Sequence, residues 1–184
     1  MSLPLHIHIL GGSGSGTTTL ARALAARGGH RHLDTDDYFW VPTQPPYRQA
    51  RPREERLARL REAMEESPAW VLSGSLCDWG DTLIPQFDLV VFLFLTPETR
   101  MARLRAREAQ RYGAEAVAPG GWRHQASATF FNWASQYDTG GPDVRSRALH
   151  EDWLRHMPCP VLRLDSGPPV TDLVAAVEDH LRST

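Results

Sequence analysis

Apolar and polar positions recur with two different periods along this chain, and the period changes again and again. Residues 5–10, "LHIHIL", alternate with period two and run into glycines, which predicts a strand opening into a loop. "TTTLARALAARGG" then shifts to helical spacing from about Thr17, with Leu20, Ala23, Leu24 and Arg27 on one side and Gly28 as the stop. "RHLDTDDYFW" reads as a short strand ending near Asp34 in an acidic, aromatic turn, and three prolines make residues 41–49 an irregular surface segment. Pro52 opens a helix whose buried stripe is Leu57, Leu60 and Met64, with Glu54 and Glu55 suited to its first turn.

"AWVLSGS" reads as a buried strand, and "LVVFLFL" is apolar on both faces, as central parallel strands are. An Arg-rich helix follows, "PETRMARLRAREAQRYG", then a break at "APGGW" and two helices around "QASATFFNWASQYD" and "VRSRALHEDWLRHM". "PVLRLD" and "VTDLVAAVEDHL" give a last strand and a last helix. Strands alternating with helices predict an α/β fold: a three-layer domain over residues 1–184, with about five mainly parallel strands and helices on both faces. Trp122, Phe130, Phe131 and Trp133 read as packing residues of core or helices.

Composition narrows the function classes. With 41% hydrophobic residues, 23% charged residues and a net charge of −2, the chain offers no broad nucleic-acid or membrane surface. The apolar run "LVVFLFL" is far shorter than the ~20 residues that span a bilayer. No signal-peptide core precedes the first strand, and Cys77 and Cys159 fit neither a metal spacing nor a disulfide framework, so a reducing cytoplasm is expected. All 20 basic residues are arginine; there is no lysine.

That matters for "GGSGSGTTTL". The pattern G-x-x-x-x-G-K-[ST] fits Gly11, Gly16 and Thr18, but the lysine position holds Thr17. A strand, a glycine loop and a helix start form an anion trap, in which N–H groups of Gly12, Ser13, Gly14, Ser15, Gly16, Thr17, Thr18 and Thr19 can face phosphates. The rival pattern is the dinucleotide fingerprint G-x-G-x-x-G. Gly12 and Gly14 fit it, Thr17 misses the third glycine, and Asp34 or Asp36 would be the acid on the ribose. Thr18 favours the phosphate loop, because a hydroxyl at the helix start can ligate Mg²⁺ and a dinucleotide fold has no use for one.

The stretch "HILGGSGSGTTTLARALA" resembles the start of the adenylate, cytidylate and shikimate kinases, and some cytidylate-kinase-like sequences carry the same G-S-G-T-T-T. The resemblance continues through "LDTDD", "WVLSGS", "VVFLFLTPETRMARLRARE" and "LRLDSGPPVTDLV". The chain is also similar to FlaR-like topology-modulation proteins. The resemblance implies a P-loop fold, ATP and Mg²⁺, and a small-molecule phosphoryl acceptor, with a nucleoside or nucleotide first. It implies an acceptor segment at residues 35–66 and a lid at 97–147. No motif separates a monomer from a homodimer.

Candidates for the chemistry follow. Asp34 and Asp36, at the carboxyl edge after the second strand, can serve Mg²⁺ waters or an acceptor hydroxyl, so Thr18 and Asp36 are the expected metal residues and Asp36 also the catalytic one. Trp40 and Tyr47 can line the acceptor pocket. Arg100, Arg103, Arg107 and Arg111 share one helix face, and the resemblance makes Arg103 and Arg107 the catalytic lid arginines. Glu98 and Glu108 are the ion-pair partners on a plain solvated reading of that face. One missing cation at a transferring phosphoryl group costs about 3 kcal/mol, roughly a hundredfold in rate, and Arg103, Arg107, Arg145 or Arg147 can restore part of it. Asp165 and Gly167, in "DSGP", resemble the loop against adenine. Asp78 and Asp81 are weaker base candidates than surface-loop residues. The pairs His6/His8 and His30/His32 have metal-like spacing without a third ligand. Two other readings remain open: an ATP-binding module with little transfer, and an NAD(P)-dependent oxidoreductase.

Overall fold

The structure, a computed structural model, describes residues 6–183; the expected strand start at Leu5 lies outside them. Five strands form one all-parallel sheet: β1 (His6–Gly11), β2 (Arg31–Asp34), β3 (Trp70–Ser73), β4 (Leu89–Phe94) and β5 (Val161–Asp165), in the order β2-β3-β1-β4-β5. The connections hold α1 (Thr17–Gly28), α2 (Thr35–Phe39), α3 (Arg53–Glu65), α4 (Pro97–Tyr112), α5 (Ala114–Val117), α6 (His124–Ser135), α7 (Arg147–Leu154) and α8 (Val170–Ser183). A dinucleotide fold places its second strand beside the first; here β3 separates β1 from β2, which is not that arrangement.

Because successive strand residues face opposite sides, the sheet carries two cores. Ile7, Ile9, Val71, Leu89, Val91 and Leu93 meet Leu20 and Leu24 of α1 and Leu173, Val174 and Val177 of α8. Leu10, Trp70, Leu72, Val90 and Phe92 meet Leu60 and Met64 of α3 and Trp153 and Leu154 of α7. A third, smaller cluster joins α4 to α6 through Met101, Leu104 and Ala134, with Phe130 and Phe131 against it.

Two local expectations change. Where an acidic turn was expected after β2, Asp34 caps a helix: its Oδ1 accepts the Asp36 N–H at 3.1 Å, and Asp36 and Asp37 sit in the favourable first turn. Trp122 and Trp133, expected as packing residues, are 73% and 41% exposed and border the cleft described below. Among the described residues no helix is long and apolar enough to cross a membrane.

Two histidines lie inside the protein. His8 has no exposed surface; its Nε2 bonds the Gly74 carbonyl oxygen at 2.8 Å between the rings of Phe87 and Trp153. His150 bonds the Tyr137 hydroxyl through Nδ1 (2.8 Å) and Ser75 Oγ through Nε2 (3.1 Å). Burial lowers the His8 pKa to about 4; burial, with the Arg145 and His8 charges, lowers that of His150 to about 3. Both folded values lie below the ordinary 6.5, so the unfolded chain takes up the protons first as pH falls. The stabilisation is complete above pH 6.5 and is lost as pH falls toward the folded values of about 4 and 3, while the raised carboxyls of Asp36 and Asp37 act in the opposite sense. Urea denaturation should therefore show stability dropping by on the order of 3 kcal/mol between pH 6.5 and pH 4.5; a flat profile would contradict this assignment.

Candidate functional site

The glycine loop joins β1 to α1 at the carboxyl edge of the sheet and turns back on itself, the Ser15 N–H donating to the Gly12 carbonyl at 3.0 Å. Space and backbone conformation decide two of its glycines. A Cβ on Gly12 would lie 2.7 Å from the Tyr137 ring. Gly14 has φ +89°, and its Cβ would lie 2.8 Å from the Arg100 carbonyl oxygen. Residues from Gly11 to Thr19 line an open cleft of about 2050 Å³, so the loop and the N-terminal turn of α1 face it. That is more than the ~1,000 Å³ of a large single-ligand pocket.

Thr18 and Asp34 meet at the loop's end. Thr18 Oγ1 donates to Asp34 Oδ2 at 2.9 Å, Ser73 Oγ donates to the same oxygen at 3.2 Å, and the Asp36 N–H takes Oδ1. His32 Nε2 lies 2.9 Å from Ser73 Oγ and steadies this group from behind. A hydroxyl and a carboxylate offer the hard oxygen donors Mg²⁺ prefers, with room for the waters it keeps. The carboxylate in contact with Thr18 is Asp34. Asp36, expected beside Thr18 as a metal residue, instead opens toward the cleft two residues on. The surrounding walls desolvate its carboxyl and raise its pKa, the Asp34 charge raises it further, and Arg145 pulls it down.

The arginine row on α4 divides. Arg100 is 1% exposed: its guanidinium donates to the Ser13 carbonyl (2.9 Å), the Ala134 carbonyl (3.1 Å) and Asp138 Oδ2 (2.7 Å), and lies 4.9 Å from the Tyr137 ring centre. It fastens the loop from behind. Arg103 and Arg107 line the cleft, Arg103 donating to the Ser166 carbonyl at 3.1 Å. Arg111 lies over Tyr47. Glu108 is buried, bonding Ser127 Oγ at 2.9 Å and pairing with Arg123, so it is no surface partner of the row.

Trp40 and Tyr47 form an edge-to-face pair, 5.9 Å between centres, on the cleft wall with Phe39 and Trp79. Beyond β5, Ser166 and Gly167 face the cleft, while Asp165 Oδ1 accepts the Gly167 N–H at 2.8 Å and shapes that turn. Asp81 accepts the Trp153 indole N–H at 2.8 Å; Asp78 lines the cleft. Arg147 lies exposed, 4.0 Å from Glu151, and Arg145 sits against the loop at Ser13. The histidine pairs point to separate partners, His6 to Gln86 and His8 to Gly74, and among the described residues no cluster of three or more His, Cys, Asp or Glu side chains is placed to hold a metal. Sequence reasoning passed over Ser73, Tyr137 and His150. Only His150 had a readable signal, the i, i+3, i+4 spacing with Trp153 and Leu154 on one helix face.

Residues 7–118 match a family model described as an AAA domain. The chain is 47% identical over 178 residues to the uncharacterised protein YqaC of Bacillus subtilis, covering 97% of this chain and 98% of that one. It is 30% identical over 120 residues to a cytidylate kinase of Methanocorpusculum labreanum, covering 56% of this chain and 63% of the relative. Among solved structures, a shikimate kinase from Bacteroides thetaiotaomicron superposes with a TM-score of 0.58 at 18% identity, covering 97% of this chain and 99% of that one. A gluconokinase from Sinorhizobium meliloti gives 0.54 at 18% identity, covering 100% and 97%. These two likenesses show the fold.

Replacing Arg100 with methionine leaves the Ser13 and Ala134 carbonyls and Asp138 without their donor, and should cost about 3 kcal/mol of unfolding free energy. Urea denaturation of Arg100→Met checks this; a loss below about 1 kcal/mol, the value of a surface pair, would refute the clamp.

Proposed function

This chain belongs to the AAA domain family through residues 7–118, and with its likeness to cytidylate kinases we propose that it transfers the terminal phosphoryl group of ATP to a nucleoside or nucleotide. The observation that carries this reading is the Thr18–Asp34 hydrogen bond, which joins the helix-start hydroxyl to the carboxylate of β2 beside the open cleft. The loop N–H groups and the start of α1 hold the phosphates, and Thr18 and Asp34 would hold Mg²⁺. When bound, that ion offsets the phosphate charge. Residues 165–167 border the adenine side, and Arg103 and Arg107 approach the phosphates from α4.

Asp36 faces the acceptor. A carboxylate with a raised pKa is a better proton acceptor than an ordinary one. The acceptor oxygen bonds to the γ-phosphorus, the bond from that phosphorus to the bridging oxygen breaks, and the acceptor's proton passes to Asp36 as ADP leaves. Phe39, Trp40, Tyr47 and Trp79 offer flat faces for a base, which supports a nucleoside or nucleotide over an aliphatic polyol, as does the likeness to cytidylate kinases. In this reading residues 35–66 shape the acceptor side and 97–147 close over it. The free thiols of Cys77 and Cys159 suit a reducing cytoplasm.

Thr17 favours one other reading, a nucleotide-binding module with little transfer. The sheet order argues against NAD(P). Incubation with γ-labelled ATP, Mg²⁺ and a panel of nucleosides, nucleoside monophosphates, shikimate and gluconate separates these readings. The label should move to a nucleoside or a monophosphate; label that stays on bound ATP with every acceptor would favour the module.

A further inference from the structure

Thr17 leaves the phosphate loop without its own cation, and a chain without lysine must bring one from an arginine elsewhere. The arginines around the loop are not equivalent. Arg100 lies behind the loop with its donors on Ser13, Ala134 and Asp138. Arg103 reaches across to Ser166, on the side of the cleft formed after β5. Arg107 is exposed along the cleft wall, and Arg147 turns outward toward Glu151.

Arg145 is placed differently. It lines a nook with Ser13, Trp133, Ala134 and Tyr137, and also borders the main cleft. Its guanidinium lies 5.7 Å from the Trp133 ring centre, and its Nε is buried with no hydrogen-bond partner. Among the described residues it enters no ion pair. Its backbone is anchored next door: Ser146 has no exposed surface, donates to the Gly141 carbonyl at 2.7 Å and caps α7 by accepting the Leu149 N–H at 3.0 Å. The Arg145 charge is felt at Asp36 and at Tyr137 and His150 behind the loop. Arg145 thus borders both the nook beside Ser13 and the cleft that holds Asp36.

We propose that Arg145 supplies the positive charge that lysine gives to other phosphate loops, reaching the terminal phosphate of ATP from the connection between α6 and α7. This rests on the phosphotransferase reading above. A guanidinium suits the task, because its planar fork can take two phosphate oxygens at once and the Trp133 face holds the plane in place. An unpaired donor set that is already positioned avoids reorganisation at the moment of transfer.

The test compares wild type, Arg145→Gln, Thr17→Lys and the double variant. Affinities for ATP and ADP, each with Mg²⁺, come from competition with a fluorescent nucleotide, and phosphate release is followed with water as the acceptor. Arg145→Gln should reduce the preference for ATP over ADP about tenfold and phosphate release about a hundredfold, with ADP affinity and melting temperature unchanged. Thr17→Lys should restore most of both losses in the Arg145→Gln background, because the two cations serve one phosphate. A merely structural arginine would lower melting temperature and ADP affinity together, and a lysine in the loop would not rescue it. Unchanged ATP preference and phosphate release in Arg145→Gln, or a loss that Thr17→Lys leaves in place, would overturn the proposal while the phosphotransferase reading stands. A wild type that binds neither nucleotide would overturn both.

Discussion

A buried charge has to be matched where it lies, and in this protein the match for Arg100 is the phosphate loop itself. Its guanidinium, almost fully removed from water, donates to the Ser13 carbonyl of the loop, the Ala134 carbonyl at the end of α6 and the Asp138 carboxylate just beyond. Removing either side would strand polar groups in a medium where that costs several kcal/mol. The Ser13 carbonyl of the loop is thus held from behind, while the loop residues line the cleft on the other side. Tyr137 completes the support. Its ring fills the space that a side chain on Gly12 would need, and its hydroxyl is tied through His150 to Ser75.

On the open side, donors and acceptors converge on one carboxylate. Thr18, Ser73 and the Asp36 amide converge on Asp34, so that carboxylate is oriented before any ligand arrives. Asp36, two residues on, is set apart by its surroundings: desolvation and the neighbouring negative charge raise its pKa. Two carboxylates from one short segment therefore differ: Asp34 is tied to Thr18 and Ser73, and Asp36 opens to the cleft. The arginines divide similarly, with Arg100 behind the loop and Arg103, Arg107 and Arg145 toward the cleft.

The period of the apolar pattern carried the fold, because the central strands pack on both faces and each long helix on one. β4, with five of six residues buried, is the clearest case. The loop and the Asp34 segment were legible because their chemistry is local, within a few residues of a strand end. The α2 helix was not, since a five-residue helix held by one aspartate cap looks like a turn in sequence. Helical spacing put Arg100 on the face of Arg103 and Arg107 but could not tell that its end of the face turns inward. Its partner Ser13 lies 87 residues away and Asp138 lies 38 away. Glu108 misled for the same reason, its partner Ser127 being 19 residues off. Trp122 and Trp133 looked like packing residues because an aromatic on a helix usually is one; their exposure comes from the cleft they border.

The central claim is that a glycine loop lacking lysine still holds a nucleotide, because its backbone, Thr18 and Asp34 do the holding. Calorimetric titration of the unmodified protein with ATP, with and without Mg²⁺, tests it most directly. The account predicts micromolar binding that weakens strongly when the metal is withheld. Binding that is absent, or indifferent to Mg²⁺, would contradict it.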